Sequence, residues 1–309
     1  MRRLLCLPCV LLLFCSPARA GIMASITTLD GATGMPLPGS EVSQKGATFA
    51  SVISMRDYGG SRLNALARGE QTSFFADNRQ FNSFQFKTRV SVDNPAGMNG
   101  EPEAFEGYAD VVWQDTISAA ANGKIFLPQE LRLSFLVTGV LDAEQDLLLP
   151  MPTSFSSFRA LSESIPGVTE DFFVQATNND GGPLELDDVA WADPVVFDSS
   201  TGKFRSSVSF RVQRGTPFDI RFQSFAGLGN DGSASSDFGN TISLVNITNG
   251  DGSESYNEVF FDSGAEFASS AAVPEPSSVA LMGLAAVGFG FVRRRRQQSA
   301  AEVADGKSA

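Results

Sequence analysis

Three stretches of the sequence place side-chain oxygens beside glycines: Asn178-Asn179-Asp180-Gly181-Gly182, Asn230-Asp231-Gly232 and Asn249-Gly250-Asp251-Gly252-Ser253-Glu254. Carboxylate, amide and hydroxyl oxygens are the ligands of a hard cation, so Asp180, Asp231 and Asp251 are candidate Ca2+ ligands. None of the three stretches follows the twelve-residue EF-hand spacing. The same residue types are what tight turns require, because Asn, Asp and Gly tolerate left-handed backbone and close it with side-chain hydrogen bonds. The sequence leaves both readings open. Asp110, Asp115, Asp142, Asp187 and Asp188 are among the many acids that could serve paired-carboxylate glycoside hydrolysis, yet no spacing selects a pair.

Other catalytic classes are excluded by composition. The chain of 309 residues has no histidine. Its three cysteines, Cys6, Cys9 and Cys15, all lie in the first fifteen residues. Ser-His-Asp and Cys-His arrangements are therefore impossible, and so are zinc sites built on His or Cys. No Rossmann or P-loop glycine pattern is present. The expectation is a protein that is not an enzyme and needs no cofactor beyond the candidate Ca2+.

The two ends carry targeting features. Arg2 and Arg3 precede an apolar run over residues 4–14, and Ala18-Arg19-Ala20 is a small-x-small exit, which together read as a secretory signal cut before Gly21 by signal peptidase. Ala24-Ser25 is a second small-residue site. All three cysteines leave with the signal, so the mature chain is exported without the means to form a disulfide. Between Gly21 and Pro274 there are 15 basic and 32 acidic residues, a charge of −17. Such a body repels phosphate backbones, and nucleic acid is not an expected partner.

At the other end, residues 277–292 are sixteen positions without a charge, about 24 Å as a helix and short for a lasting anchor. Arg293, Arg294, Arg295 and Arg296 stop the segment and remain on the cytoplasmic side, with the body outside. Just before the apolar run, Val273, Pro274, Glu275 and Pro276 form an extended, non-helical stretch suited to a peptidase cleft. Pro-Glu-Pro, apolar helix and arginine cluster, in that order beneath a signal peptide, resemble the PEP-CTERM sorting signal of Gram-negative bacteria. The resemblance implies a membrane-embedded protease, exosortase, as partner. It also implies transient inner-membrane anchoring, removal of the tail, and delivery to the cell surface or the exopolysaccharide matrix as a structural or interaction protein. Residues 297–309 extend beyond the usual end of that signal.

The body reads as β. Phe84, Phe86, Thr88, Val90 and Val92 alternate with polar residues, as do Leu131 to Val137, Phe204 to Val212, and Phe218 to Phe222. Period-two alternation with one wet face is the signature of antiparallel sheets. The 26 phenylalanines fall mostly on the apolar faces and are expected to fill a core. Arg214-Gly215-Thr216-Pro217 reads as a hairpin turn, and residues 141–149 or 158–164 as one short helix. Blocks such as LRLSFLVTGVL (131–141) and FRVQRGTPFDIRF (210–222) are similar to those of other PEP-CTERM proteins.

The expected fold is all-β, an antiparallel two-sheet sandwich or jelly roll, flanked by a signal peptide and a C-terminal transmembrane sorting helix. The expected organisation is signal peptide 1–20, body 21–267, linker and motif 268–276, transmembrane helix 277–292 and basic tail 293–309. An alternative role is a carbohydrate-binding module, with Trp113, Trp191 and Tyr108 as platform residues; a carboxylate glycoside hydrolase is the remaining one.

Overall fold

The computed structural model describes residues 20–268, apart from 31–34, 59–60, 77–78, 95–104, 121–128, 146–153, 178–184, 191–192, 229–231 and 257. Every regular element among the described residues is a strand. Alternating burial shows why. In β13 (Lys203–Gln213) Phe204, Ser206, Val208, Phe210 and Val212 are buried, while Lys203, Arg205 and Ser207 between them are exposed. In β14 (Pro217–Leu228) Phe218, Ile220 and Phe222 alternate with Pro217, Asp219 and Arg221 in the same way.

The strands form two antiparallel layers. In the first, β2 (Met35–Pro36) and β3 (Val42–Gly46) pair with β1 (Gly21–Asp30). The layer continues through β7 (Phe105–Ala120), β14, β9 (Ser154–Ile165), β10 (Val168–Thr177) and β11 (Glu185–Ala190). The second layer runs β12 (Asp193–Asp198), β13, β8 (Glu130–Gln145), β15 (Gly232–Asn249), β6 (Arg79–Asn94), β5 (Ser61–Ala76) and β4 (Phe49–Tyr58). The short strands β16 (Glu258–Phe261) and β17 (Glu266–Ala268) join the layers. β16 pairs with the end of β7, and β17 makes one parallel bridge, Phe267 to Asn82, with β6.

Within this arrangement β6-β15-β8-β13 face β7-β14-β9-β10. The nested pairs β6/β15, β7/β14 and β8/β13, closed by the β9–β10 hairpin, are the strand order of a jelly roll. β1 to β5 widen both layers beyond it. The sequence expectation of a sandwich or jelly roll thus resolves to a jelly roll.

The core between the layers is aromatic. Phe86 of β6 stacks on Phe222 of β14 at 5.1 Å and Phe158 of β9 on Phe238 of β15 at 4.1 Å, while Trp113 of β7 packs tilted against Phe84 of β6 at 4.6 Å. Buried polar ties also cross the gap: the hydroxyls of Thr88 and Ser224 lie 2.9 Å apart, and Ser236 Oγ of β15 donates to Ser157 O of β9 at 2.7 Å. At Gly69 the layers pass so closely that a Cβ would lie 2.3 Å from Ile22 Cγ2, which is why β5 carries glycine there.

Two local expectations are corrected. Residues 158–164 are not helical but the middle of β9, and 141–145 continue β8. Residues 214–217 do turn, with Gly215 at φ 73° and Thr216 N–H donating to Gln213 O at 3.2 Å. However, β13 and β14 belong to different layers and are not paired. The turn carries the chain from one sheet to the other instead of closing a hairpin.

Candidate functional site

The outward face of the first sheet gathers ionisable groups on β7. Glu106, Tyr108 and Asp110 share that face at alternate positions. The Tyr108 ring packs on Phe225 at 4.2 Å, and Phe225 on Phe155 at 4.9 Å, so an aromatic strip crosses β7, β14 and β9. One strand step along, Gln223 Nε2 donates to Asp110 Oδ1 at 2.8 Å. Arg159 donates two bonds to Asp171, at 2.9 and 2.6 Å. Burial pushes the Asp110 carboxyl above the usual aspartate range, against the pull of Arg221 and Gln223. Burial likewise raises Glu106. The Tyr108 phenol is pushed up to about 12 by burial and by the neighbouring charges of Glu106 and Asp110. A depression of about 440 Å3 at the other end of this face is lined by Gln114, Glu163, Asp219 and Arg221 among others. The partners of Asp110 are an amide and a guanidinium, which fix a carboxylate and relay no proton.

The acids named from sequence occupy unrelated places. Asp110 faces out of the first sheet, whereas Asp115, five residues on, is buried. Its Oδ1 accepts the backbone N–H of Thr116 at 2.8 Å and of Ser263 at 3.2 Å. Burial raises the Asp115 carboxyl and these bonds oppose the rise, so Asp115 clamps the β16–β17 turn to β7. Asp142 lies on the outward side of β8, in the other layer, and Asp187 and Asp188 lie on the edge strand β11.

Among the candidate cation ligands, Asp180 and Asp231 lie outside the described residues. Asp251 sits in an exposed turn, where its Oδ1 accepts the Ser253 N–H at 2.8 Å. In the same turn Asn249 Oδ1 accepts from Glu254 N at 3.1 Å, and Gly252 takes φ 78°. The Ser253 bond holds the Asp251 carboxyl below its usual range. Turn geometry thus accounts for this stretch, and among the described residues no group of three or more Cys, Asp or Glu side chains is arranged to hold a metal ion.

The aromatic candidates also divide. Trp113 is 2% exposed and ringed by phenylalanines, so it is core and not a sugar platform; this corrects the sequence expectation. Tyr108 does lie on an outward face, and Trp191 lies outside the described residues. The signal-cleavage residue Ala18 precedes the described residues, while Gly21 opens β1 and pairs with Gln114. No helix among the described residues is long and apolar enough to cross a membrane; residues 277–292 lie outside them.

Val273 to Pro276 and Arg293 to Arg296 also fall beyond the described residues, so their meaning comes from comparison. Residues 272–296 match the family described as the PEP-CTERM protein-sorting motif. The chain carries a PEP-CTERM sorting signal. The match spans Pro274-Glu275-Pro276, the apolar run and all four arginines, and it leaves 297–309 outside. A PEP-CTERM signal implies export, targeting to the cell surface, and exosortase as processing partner. No curated protein matches the chain.

Proposed function

We propose that this chain is an exosortase substrate whose jelly-roll body is the delivered cargo, with a structural or interaction role at the cell surface or in the exopolysaccharide matrix and no catalytic one. The observation that carries the reading is the sorting motif at residues 272–296. The signal peptide 1–20 starts export, residues 277–292 hold the chain in the inner membrane, and the cut falls near Pro274 to Pro276.

The fold supports both cuts. β17 ends at Ala268, so removal of the chain from residue 272 onward takes away no strand described above. β1 begins at Gly21, and Ile22 and Ala24 are 1% and 0% exposed. Cleavage after Ala20 leaves β1 whole. Cleavage after Ala24 would remove Ile22 and Ala24 from the core.

Intact mass of the secreted protein tests the reading. The expected mature form starts at Gly21 and ends near Pro274 to Pro276, and the C-terminal trimming vanishes in a strain lacking exosortase. Pro274→Ala/Pro276→Ala protein is expected to stay untrimmed and membrane-associated. Normal trimming of that variant refutes the assignment.

A further inference from the structure

The outward face of the second sheet has a charge pattern that folding does not explain. Arg68 of β5 lies directly across from Lys87 of β6, and Arg132 of β8 directly across from Arg211 of β13. Like charges directly opposed across strands destabilise a sheet. Glu70 binds Arg68, and Glu170 binds Arg211 at 2.6 Å, which answers one member of each pair. The other members are left over. Among the described residues Lys87 has no ion-pair or hydrogen-bond partner, and the buried Nε of Arg132 has no acceptor. A row across the strands links the two regions. Lys87 faces the bulge in β15 between Phe238 and Ile242, and beyond it Thr138 pairs with the exposed Arg205. Next to Arg205 a shallow depression of about 350 Å3 is lined by Thr138, Val140, Val196 and Lys203. Asp198 also lines it, but its carboxylate accepts from the Ser200 and Thr201 hydroxyls at 2.6 and 2.7 Å. All this belongs to a body of charge −17.

We infer that this face binds an anionic polysaccharide, its sugar carboxylates taken by Lys87 and Arg205 and its rings by the depression beside Arg205. This deepens the proposed function by naming the chemistry of the matrix contact. The spacing favours a sparsely charged polymer. Lys87 and Arg205 stand three strand intervals apart, about 14 Å, whereas duplex DNA carries a charge about every 1.7 Å and would meet the repulsion of the acidic body. Hydroxyls lie between the cations, Ser134 and Ser209 bonded at 2.8 Å among them, and match sugar hydroxyls as donors and acceptors. The contact is direct, with no bridging cation.

The test uses the full-length chain, purified in neutral detergent, on immobilised polyuronate, with neutral dextran, duplex DNA and phosphatidylserine vesicles alongside. Expected are retention on polyuronate alone, a loss of at least tenfold on raising salt from 50 to about 500 mM, as screening requires, and no change with EDTA. Lys87→Glu/Arg205→Glu is expected to lose binding at least tenfold. Lys45→Glu/Arg221→Glu, with the same change in net charge on the other sheet, is expected to keep it. Should the first variant lose its far-ultraviolet dichroism, Lys87→Gln/Arg205→Gln replaces it, with the same expectation. Equal loss in both variants, dependence on EDTA, failure of the wild type to bind, or binding to DNA or vesicles as tight as to polyuronate overturns the inference. Trimming is read separately by mass. A trimmed protein that does not bind refutes only this inference, and an untrimmed one that binds refutes only the sorting assignment.

Discussion

Trp113 meets the rings of Phe84, Phe86, Phe135, Phe218 and Phe261, all within 6.3 Å between centroids. A tryptophan so placed is worth its packing. Trp113→Ala is expected to cost about 3–5 kcal/mol in urea denaturation and to leave polyuronate binding intact in whatever protein remains folded; a loss under about 1 kcal/mol would contradict its place in the core. Asp110 acts in the opposite sense. Its folded carboxyl titrates above the ordinary value of 3.8, so the fold holds that proton more tightly than the unfolded chain does. The penalty is absent below the unfolded value and develops as pH rises through the folded one. Asp110→Asn, which can still bond Gln223, is expected to raise the melting temperature at pH 7 and to have no effect at pH 3. An equal gain at both pH values would show that the cause is not ionisation. Nothing in the sequence around Asp110 distinguishes it from the other acids of the body, because its partners Arg221 and Gln223 lie more than 100 positions away.

Strands differ in how far their own residues declare them. β6, β8, β13 and β14 were legible because large apolar residues alternate with charged ones. β9 was not, because its inward positions include Ser156, Ser162 and Ser164 beside Phe158 and Ala160. The Ser162 and Ser164 hydroxyls are used within the fold, lying 2.6 Å apart with Ser164 donating to Asp219 O at 3.4 Å, while the Ser156 hydroxyl is buried with no partner among the described residues, so a polar-looking stretch is in fact buried. β5 hid for another reason: after Leu63 its inward residues Ala65, Ala67 and Gly69 are too small to mark a face where the layers approach closely. Edge strands carry the next prediction. β11 has Glu185, Asp187 and Asp188, β12 has Pro194 between Asp193 and Asp198, and β3 has Lys45, all of which deter strand addition. β4, paired among the described residues only with β5, has no charge from Phe49 to Met55, and exposes Ile53 by 70% and Met55 by 77%. The wild-type body is expected to associate through this edge as concentration rises in light scattering, and Ile53→Lys to abolish that association with stability changed by no more than about 0.5 kcal/mol. Association that persists unchanged would place the contact elsewhere.

The molecule divides into a local address and a non-local fold, which is why one was readable in full and the other only by class. The sorting signal is contiguous, so proline, apolar run and arginines identify it in any context. The jelly-roll order depends on partners such as Asn94 and Gly232, 138 positions apart, and no local pattern names them. The two parts meet at β17, where the fold either needs the tail or does not. Ala265 and Phe267 are 0% and 2% exposed, Ala265 O accepts from Phe261 N at 2.9 Å, and Glu266 N donates to Asn82 Oδ1 at 2.9 Å. Those contacts close the seam between the layers, and all of them precede Ser269. A chain ended after Ala268 is therefore expected to unfold at the same urea concentration as the full-length protein. One ended after Asp262 loses the buried Phe267, the clamp from Asp115 to Ser263 and the β17 bridge, and is expected to be at least about 3 kcal/mol less stable, the usual cost of deleting one core phenylalanine. If both truncated chains unfold like the parent, β17 is no part of the body; if both fall, the cargo needs its address to stay folded, and removal of the tail after export would unfold it.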